Sequence, residues 1–273
     1  ATRSYEREVL FYRHVADTVD IRTPRCYHGA IDAESGDFVL ILEDLAPRRQ
    51  GDQLAGCTAA DATAAIDQLV ALQSPRWNDA SLFEVDWLSR RDDESVANTT
   101  MLYRAVLPGF VTTIGSLIKP DHVRAAQQLG ECIDRWLDIP DGPRVVTHGD
   151  YRLDNMLFDD DVGLAVVDWQ GPGHGSPWND LAYFLGTGLL PSDREVHEED
   201  LVWRHHAGLV AAGVDVAWDE VWSGYRRAAF GGLLMAVVAS QIVVATDRGN
   251  QMFAAMAERS AAMAIHHGTL DLI

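Results

Sequence analysis

Apolar residues at Tyr5, Val9, Tyr12 and Ala16 recur at helical spacing over residues 4–16. After a loop to Pro24 the pattern switches to strand-like runs at 26–31 and 38–42, separated by the turn DAESGD. Beyond these strands the periodicity is mostly helical. Thr58 followed three residues later by Asp61 predicts a capped helix over 59–73, and Ser192 with Glu195 predicts a capping box for the helix that follows it. Further helices are predicted over 99–117, 121–138, 178–189, 218–246 and 251–267. One β-like interruption separates them: Arg144–Thr147 reads as a strand, and Asn155–Phe158 and Gly163–Val167 read as a hairpin turning at DDDVG.

The stretch from Ala228 to Ala245 carries no charge and is just long enough to raise the question of a membrane span. It is rich in Ala and Gly, contains Ser240 and Gln241, and is bordered by Arg226, Arg227, Asp247 and Arg248. That composition predicts a buried central helix and no membrane span.

The β-like interruption holds the densest chemistry. The run HGDYRLDN supplies His148, Asp150 and Asn155, and GLAVVDWQ supplies Asp168. Phosphoryl transfer from a nucleotide needs one carboxylate to orient the attacking hydroxyl, and an amide plus a second carboxylate to hold magnesium against the phosphates. Asn155 lies five residues after Asp150, and Asp168 thirteen after Asn155, the spacing of a protein-kinase catalytic loop and its metal-binding Asp. Asp150 is therefore the candidate catalytic carboxylate. Asn155 and Asp168, both hard oxygen donors, are the candidate magnesium ligands. An exposed loop residue is the disfavoured alternative for Asp150, and a turn role is a fair alternative for Asn155 or Asp168 taken alone; the spaced set favours the chemistry.

On these residues the chain resembles the aminoglycoside phosphotransferase and choline kinase-like superfamily, small-molecule relatives of the protein kinases. HGD stands where the protein kinases have HRD, DWQ stands where DFG would, and WNDLAYF at 178–184 looks like the family's Asp-Leu-Ala helix. SYEREVLFY and FVLILEDL are closest to the ecdysteroid-kinase-like branch, and HGDYRLDN is also similar to the phosphotransferase domains fused to some acyl-CoA dehydrogenases. The resemblance implies an α+β, protein-kinase-like fold of two lobes. Residues 1–45 would be the remainder of a β-rich N-lobe (helix, strands and hinge), and 46–273 a helical C-lobe with the catalytic loop and metal site.

The resemblance also implies roles. Glu8 on the N-lobe helix would pair with a strand Lys that contacts the nucleotide phosphates. Leu42 would border the adenine pocket, and the backbones of Glu43 and Leu45 would offer C=O and N–H groups to adenine. His148 and Asp180 would support the catalytic loop. The implied activity is transfer of the γ-phosphate of a nucleotide, ATP with Mg2+, to a hydroxyl of a small molecule.

The strand Lys and a glycine-rich phosphate loop do not precede Glu8. The chain starts seven residues earlier, its one Lys is Lys119, and GPGHG at 171–175 does not follow the GxGxxG pattern. A helix and hinge without their sheet would leave apolar faces uncovered, so we expect the sequence to lack an N-terminal piece. The alternative is a nucleotide-binding pseudokinase or interaction protein without turnover. A metal-dependent phosphohydrolase using Asp150 and Asp168 is disfavoured by the spacing of Asn155.

Composition adds three constraints. A net charge of −19 argues against a nucleic-acid partner. Cys26, Cys57 and Cys132 are odd in number and widely spaced, which reads as reduced thiols in a reducing, cytoplasmic setting. His205-His206 and His266-His267 are adjacent pairs whose side chains diverge by about 100° on a helix, so they predict no zinc site. Arg152 reads equally as a contact to substrate phosphate or as a surface ion pair. For the acceptor, Glu195, Glu198, Glu199 and Asp200 favour a cationic alcohol slightly over an apolar one, whose pocket Phe110, Trp203 and Trp222 would line.

Overall fold

The computed structural model describes residues 3–32, 34–138 and 142–273. Helix α1 (Ser4–His14) buries Val9 and Tyr12 of the expected stripe together with Phe11, while Tyr5 is exposed. It lies against the antiparallel pair β1 (Cys26–Ile31) and β2 (Phe38–Leu42), whose register runs from Ile31↔Phe38 to Cys26↔Leu42. The chain then passes through Glu43 and Leu45 to β3 (Arg49–Gln50) and helix α2 (Ala59–Gln73). Thr58 and Asp61 cap α2 reciprocally: the Thr58 hydroxyl accepts from the Asp61 N–H, and the Asp61 carboxylate accepts from the Thr58 N–H.

Helix α3 (Asp93–Thr113) begins earlier than its apolar periodicity suggests, because Asp92 and Ser95 form a capping box of their own. It is followed by α4 (Pro120–Leu137) and the strands β4 (Val145–Thr147), β5 (Met156–Phe158), β6 (Ala165–Val166) and β7 (Gly173–Gly175). Strands β3, β5 and β6 form one small sheet, and β4 pairs antiparallel with β7. The hairpin register sets Met156 opposite Val166, which brings the Asn155 end of β5 beside the Asp168 end of β6.

The rest is helical: α5 (Trp178–Gly188), α6 (Pro191–Ala211), α7 (Trp218–Arg227), α8 (Gly231–Ile242) and α9 (Asp247–His266). Two sequence expectations are corrected here. Ser192 does not cap α6; the helix starts two residues sooner, with Leu190 at the cap and Pro191, whose fixed φ suits the first turn, directly after it.

The single helix expected over 218–246 is broken at Ala228–Phe230, and Ser260 of α9 supplies the reason. Its Oγ donates to the Ala229 carbonyl at 2.8 Å and accepts from the Leu233 N–H at 2.9 Å, inserting into the backbone ladder between those two residues. Gly232 lets this happen, because a Cβ there would lie 2.3 Å from the Thr187 side chain. Among the described residues no helix is long and apolar enough to cross a membrane. Cys26, Cys57 and Cys132 are free thiols.

Helix α5 runs through the middle of the helical region, in contact with α2, α6, α7, α8 and α9. Leu181, Phe184 and Leu185 on it are wholly buried, each worth about 1.5–3 kcal/mol in apolar burial. That anchorage fixes Asp180 and Tyr183, which face the loop between β4 and β5.

Candidate active site

The loop after β4 turns at Gly149, where φ is +83° and a Cβ would lie 2.3 Å from the Gly171 carbonyl oxygen. Only glycine fits between the catalytic loop and the segment after Asp168. Asp180, buried in the first turn of α5, accepts from the His148 N–H at 2.7 Å and the Gly149 N–H at 3.1 Å. Burial raises the Asp180 pKa, against the opposing pull of His148 and the two N–H donors.

The His148 ring completes the support. Its Nδ1 accepts from the Asp150 N–H at 3.2 Å, which leaves Nε2 to donate to the Val167 carbonyl at 3.1 Å. One imidazole thus ties the catalytic loop to the residue before Asp168. Beneath it, Trp169 tilts against the His148 ring at 4.5 Å and stacks on Phe11 of α1 at 3.8 Å. Trp169 is wholly buried, so it braces the site from below and does not face a ligand.

The Asp150 carboxylate is gripped from three sides. Its Oδ1 accepts from Tyr183 Oη at 2.8 Å, and its Oδ2 accepts from Arg152 Nε at 3.0 Å and Asn155 Nδ2 at 3.1 Å. Arg152 also binds Asp154 at 2.6 Å, so it is an ion-paired member of the loop and its guanidinium is already engaged. Tyr183 is a site residue that the sequence reading missed. The available signal was its position three residues after Asp180, which places both on one face of α5.

Asn155 Nδ2 also donates to the Asp150 carbonyl at 2.9 Å, which leaves Oδ1 as the ligand atom of that amide. Val167 N–H donates to the Asn155 carbonyl at 3.0 Å, holding the two metal candidates on adjacent strands. Asp168 has φ +66°, a left-handed conformation that a short polar residue tolerates, and its carboxylate makes no hydrogen bond among the described residues. Glu8 stands next to it: burial first and the Asp168 charge second raise the Glu8 pKa, while Gln170 and the Trp169 backbone lower it. The Asp168 carboxylate and the Asn155 Oδ1, neither of which accepts a hydrogen bond among the described residues, are hard oxygen donors of the kind that fits a divalent cation. Glu8 meets no lysine among the described residues, since Lys119 lies at the start of α4, 3.8 Å from Glu258.

At the hinge, Leu42 is half-buried and Leu45 buried. The Glu43 N–H donates to the Arg25 carbonyl at 2.8 Å, and its carboxylate accepts from Arg22 at 2.7 and 2.8 Å. The Glu43 carbonyl and the Leu45 N–H have no partner among the described residues. These are the two backbone groups that the resemblance implies for adenine.

Beside the catalytic loop opens a cavity of about 300 Å³ whose wall includes Gly149, Asp180 and Tyr183. The residues expected to shape the acceptor lie elsewhere. Glu198 is buried in an ion pair with Arg194, Phe110 is inside the core, and Trp203 packs against Trp218 with a half-exposed ring. Glu195, Glu199, Asp200 and Trp222 do not line the cavity either.

Known proteins share this framework. The pattern of the phosphotransferase enzyme family matches residues 1–207. Over 64 residues, 23% of this chain and 8% of the relative, the sequence is 39% identical to human acyl-CoA dehydrogenase family member 11, so the match spans only a small part of that protein. A Ralstonia eutropha protein assigned to the aminoglycoside phosphotransferases superposes with a TM-score of 0.56 at 18% identity, covering 97% of this chain and 83% of that one. ADP-bound aminoglycoside phosphotransferase APH(2'')-Ib superposes with a TM-score of 0.51 at 15% identity, covering 96% and 83%. At these identities the structural likeness establishes an α+β, kinase-like fold. The family pattern extends over well more than half of the sequence and takes in the catalytic loop, the hairpin and the supporting helix, and on that ground the chain belongs to the phosphotransferase enzyme family.

Proposed function

We propose that this phosphotransferase moves the γ-phosphoryl group of ATP to a hydroxyl of a small molecule. The observation that carries the reading is the state of Asp150. A carboxylate has about four lone-pair directions, and Tyr183, Arg152 and Asn155 occupy three of them. The Asp150 side chain is still 32% exposed, so a hydroxyl can approach the remaining direction. The acceptor oxygen bonds to phosphorus as the bond to the ADP oxygen breaks, and Asp150 orients the hydroxyl and receives its proton. In a loose transition state this positioning outweighs basicity.

Residues 1–45 serve the nucleotide in this reading and 46–273 the acceptor. The Glu43 carbonyl and Leu45 N–H bind adenine, with Leu42 against the ring. Asn155 Oδ1 and the Asp168 carboxylate would hold Mg2+, which when bound offsets charge on the phosphates. His148 and Asp180 keep the loop in register. The second reading is nucleotide binding without turnover.

The two readings part in a screen of hydroxylated small molecules with Mg-ATP, followed by mass spectrometry of the acceptor. Gain of one phosphoryl group supports transfer. Saturable nucleotide binding with no acceptor modified supports the second reading.

A further inference from the structure

The cavity whose wall includes Gly149 and Tyr183, the chain neighbour of Asp150 and the donor to its carboxylate, carries a charge pattern that narrows the acceptor. Its wall contains Arg90 and Arg91, on the segment leading into α3. Through Arg91, Trp136, Asn179 and Ala228 it adjoins a second cavity of about 280 Å³, whose wall adds Arg144 and Arg227. Four guanidinium groups thus converge on one cleft of a chain whose net charge is −19. Among the described residues the acids in these walls are Asp180, whose two oxygens are engaged by the loop N–H groups, and Glu220. Asp92 lies near Arg90 but caps α3 through Ser95.

The four arginines are not equivalent. Arg227 donates to the carbonyls of Trp136, Arg135 and Asp138 at 2.9–3.1 Å and so ties down the end of α4. Arg144 donates to the carbonyls of Gly142 and Pro143. Arg90 gives one Nη to the Val85 carbonyl at 2.7 Å, while its Nε is buried without a partner among the described residues.

Arg91 makes no hydrogen bond or ion pair among the described residues and lies over the Trp136 ring at 5.8 Å. It is accessible to solvent within the cleft. Desolvation by the surrounding walls, then the like charges of Arg227 and Arg144, bring its pKa down to about 10. A guanidinium crowded by like charges, with its forked donors free, is suited to a planar or tetrahedral anion. Apolar residues of the same wall include Val96, Leu137, Leu234 and Met235.

We propose that the acceptor is a hydroxylated anion with an apolar body: its carboxylate or phosphate is bound by Arg91 and Arg90 while its hydroxyl reaches Asp150. This assignment rests on the kinase reading of the site. It reverses the sign expected from the acids of α6, none of which lines the cleft.

The test compares the wild type with Arg91→Gln and Arg91→Lys. The probes are ω-hydroxycarboxylates of increasing length, their methyl esters, ω-hydroxyalkyl phosphates and ω-amino alcohols. Calorimetry reads binding and ATP consumption reads transfer. The hydroxy-anions are expected to bind and react in preference to esters and amines, and Arg91→Gln to reduce that preference about tenfold or more, the scale of one charge-assisted contact. Arg91→Lys should retain part of it, and the carboxylate and phosphate arms show which anion fits. Anion binding that depends on Arg91 without any transfer upholds the anion site and rejects the kinase reading. Transfer that is equal or better with esters or amines, or anion binding absent or unchanged in Arg91→Gln, overturns the inference.

Discussion

Tyr183 Oη donates to Asp150 Oδ1 at 2.8 Å from a position one helical turn beyond Asp180, whose carboxylate holds the His148 and Gly149 N–H groups. Helix α5 therefore sets both the backbone and the carboxylate of the catalytic loop. Tyr183→Phe keeps the buried ring and removes only the donor. We expect kcat to fall roughly tenfold, the equivalent of one hydrogen bond to a charged group, with nucleotide affinity unchanged. Steady-state kinetics and nucleotide titration check this; an unchanged kcat would show that the contact does not align Asp150.

Much of this arrangement was legible in the sequence, because local rules and the tertiary structure agree there. The Thr58–Asp61 cap, both early strands and the hairpin between Asn155 and Asp168 follow from turn chemistry and alternation. The break between α7 and α8 was not legible, since it depends on Ser260, which is distant in sequence and is brought to Ala229 by packing. Tyr183 and Arg152 escaped a definite role for a related reason. A residue acquires the function of holding Asp150 only when α5 and the loop meet in space. The arginine cleft joins residues from 90 to 227, a grouping that the overall acidic composition conceals.

The metal ligands should separate by charge. Asp168→Ala is expected to abolish Mg-dependent nucleotide binding, and Asn155→Ala to weaken it, because a carboxylate brings charge as well as an oxygen. Asn155→Ala also removes a donor from Asp150, so it should lower kcat in addition. Titration of Mg-ATP and of ATP with chelator distinguishes these effects. Equal binding by both variants and the parent would remove the pair from the nucleotide site.

Gly149→Ala tests the backbone of the loop. The added methyl meets the Gly171 carbonyl oxygen in a left-handed conformation, so about 1–3 kcal/mol of destabilisation is expected. A lower Tm together with lost activity would agree. Parental stability would mean that the loop can rearrange.

Acid stability should depend on Glu198, which binds Arg194, Tyr225 and His267 away from the catalytic loop. Burial pushes its pKa up, but His267 and Arg194 outweigh burial and leave it at about 2. A carboxylate depressed on folding contributes stability that is complete above its ordinary value of 4.5 and is lost as pH falls toward about 2. Glu198→Gln should therefore destabilise by roughly 3–5 kcal/mol at neutral pH, since Arg194 is left buried without its partner. The deficit relative to the parent should narrow as pH falls through that range. Urea unfolding at several pH values reads both effects, and a deficit independent of pH would count against the ion pair as its source.

In the proposed reaction Asp150 positions the acceptor hydroxyl for phosphoryl transfer. Asp150→Asn keeps the shape of the side chain and removes its charge, so Mg-ATP affinity and Tm should stay near the parental values while kcat falls about 10²-fold or more. The most direct measurement is single-turnover transfer from Mg-ATP to an acceptor identified in the screen, with nucleotide affinity measured on the same samples. A transfer rate equal to the parent's in Asp150→Asn, with nucleotide bound, would contradict the account.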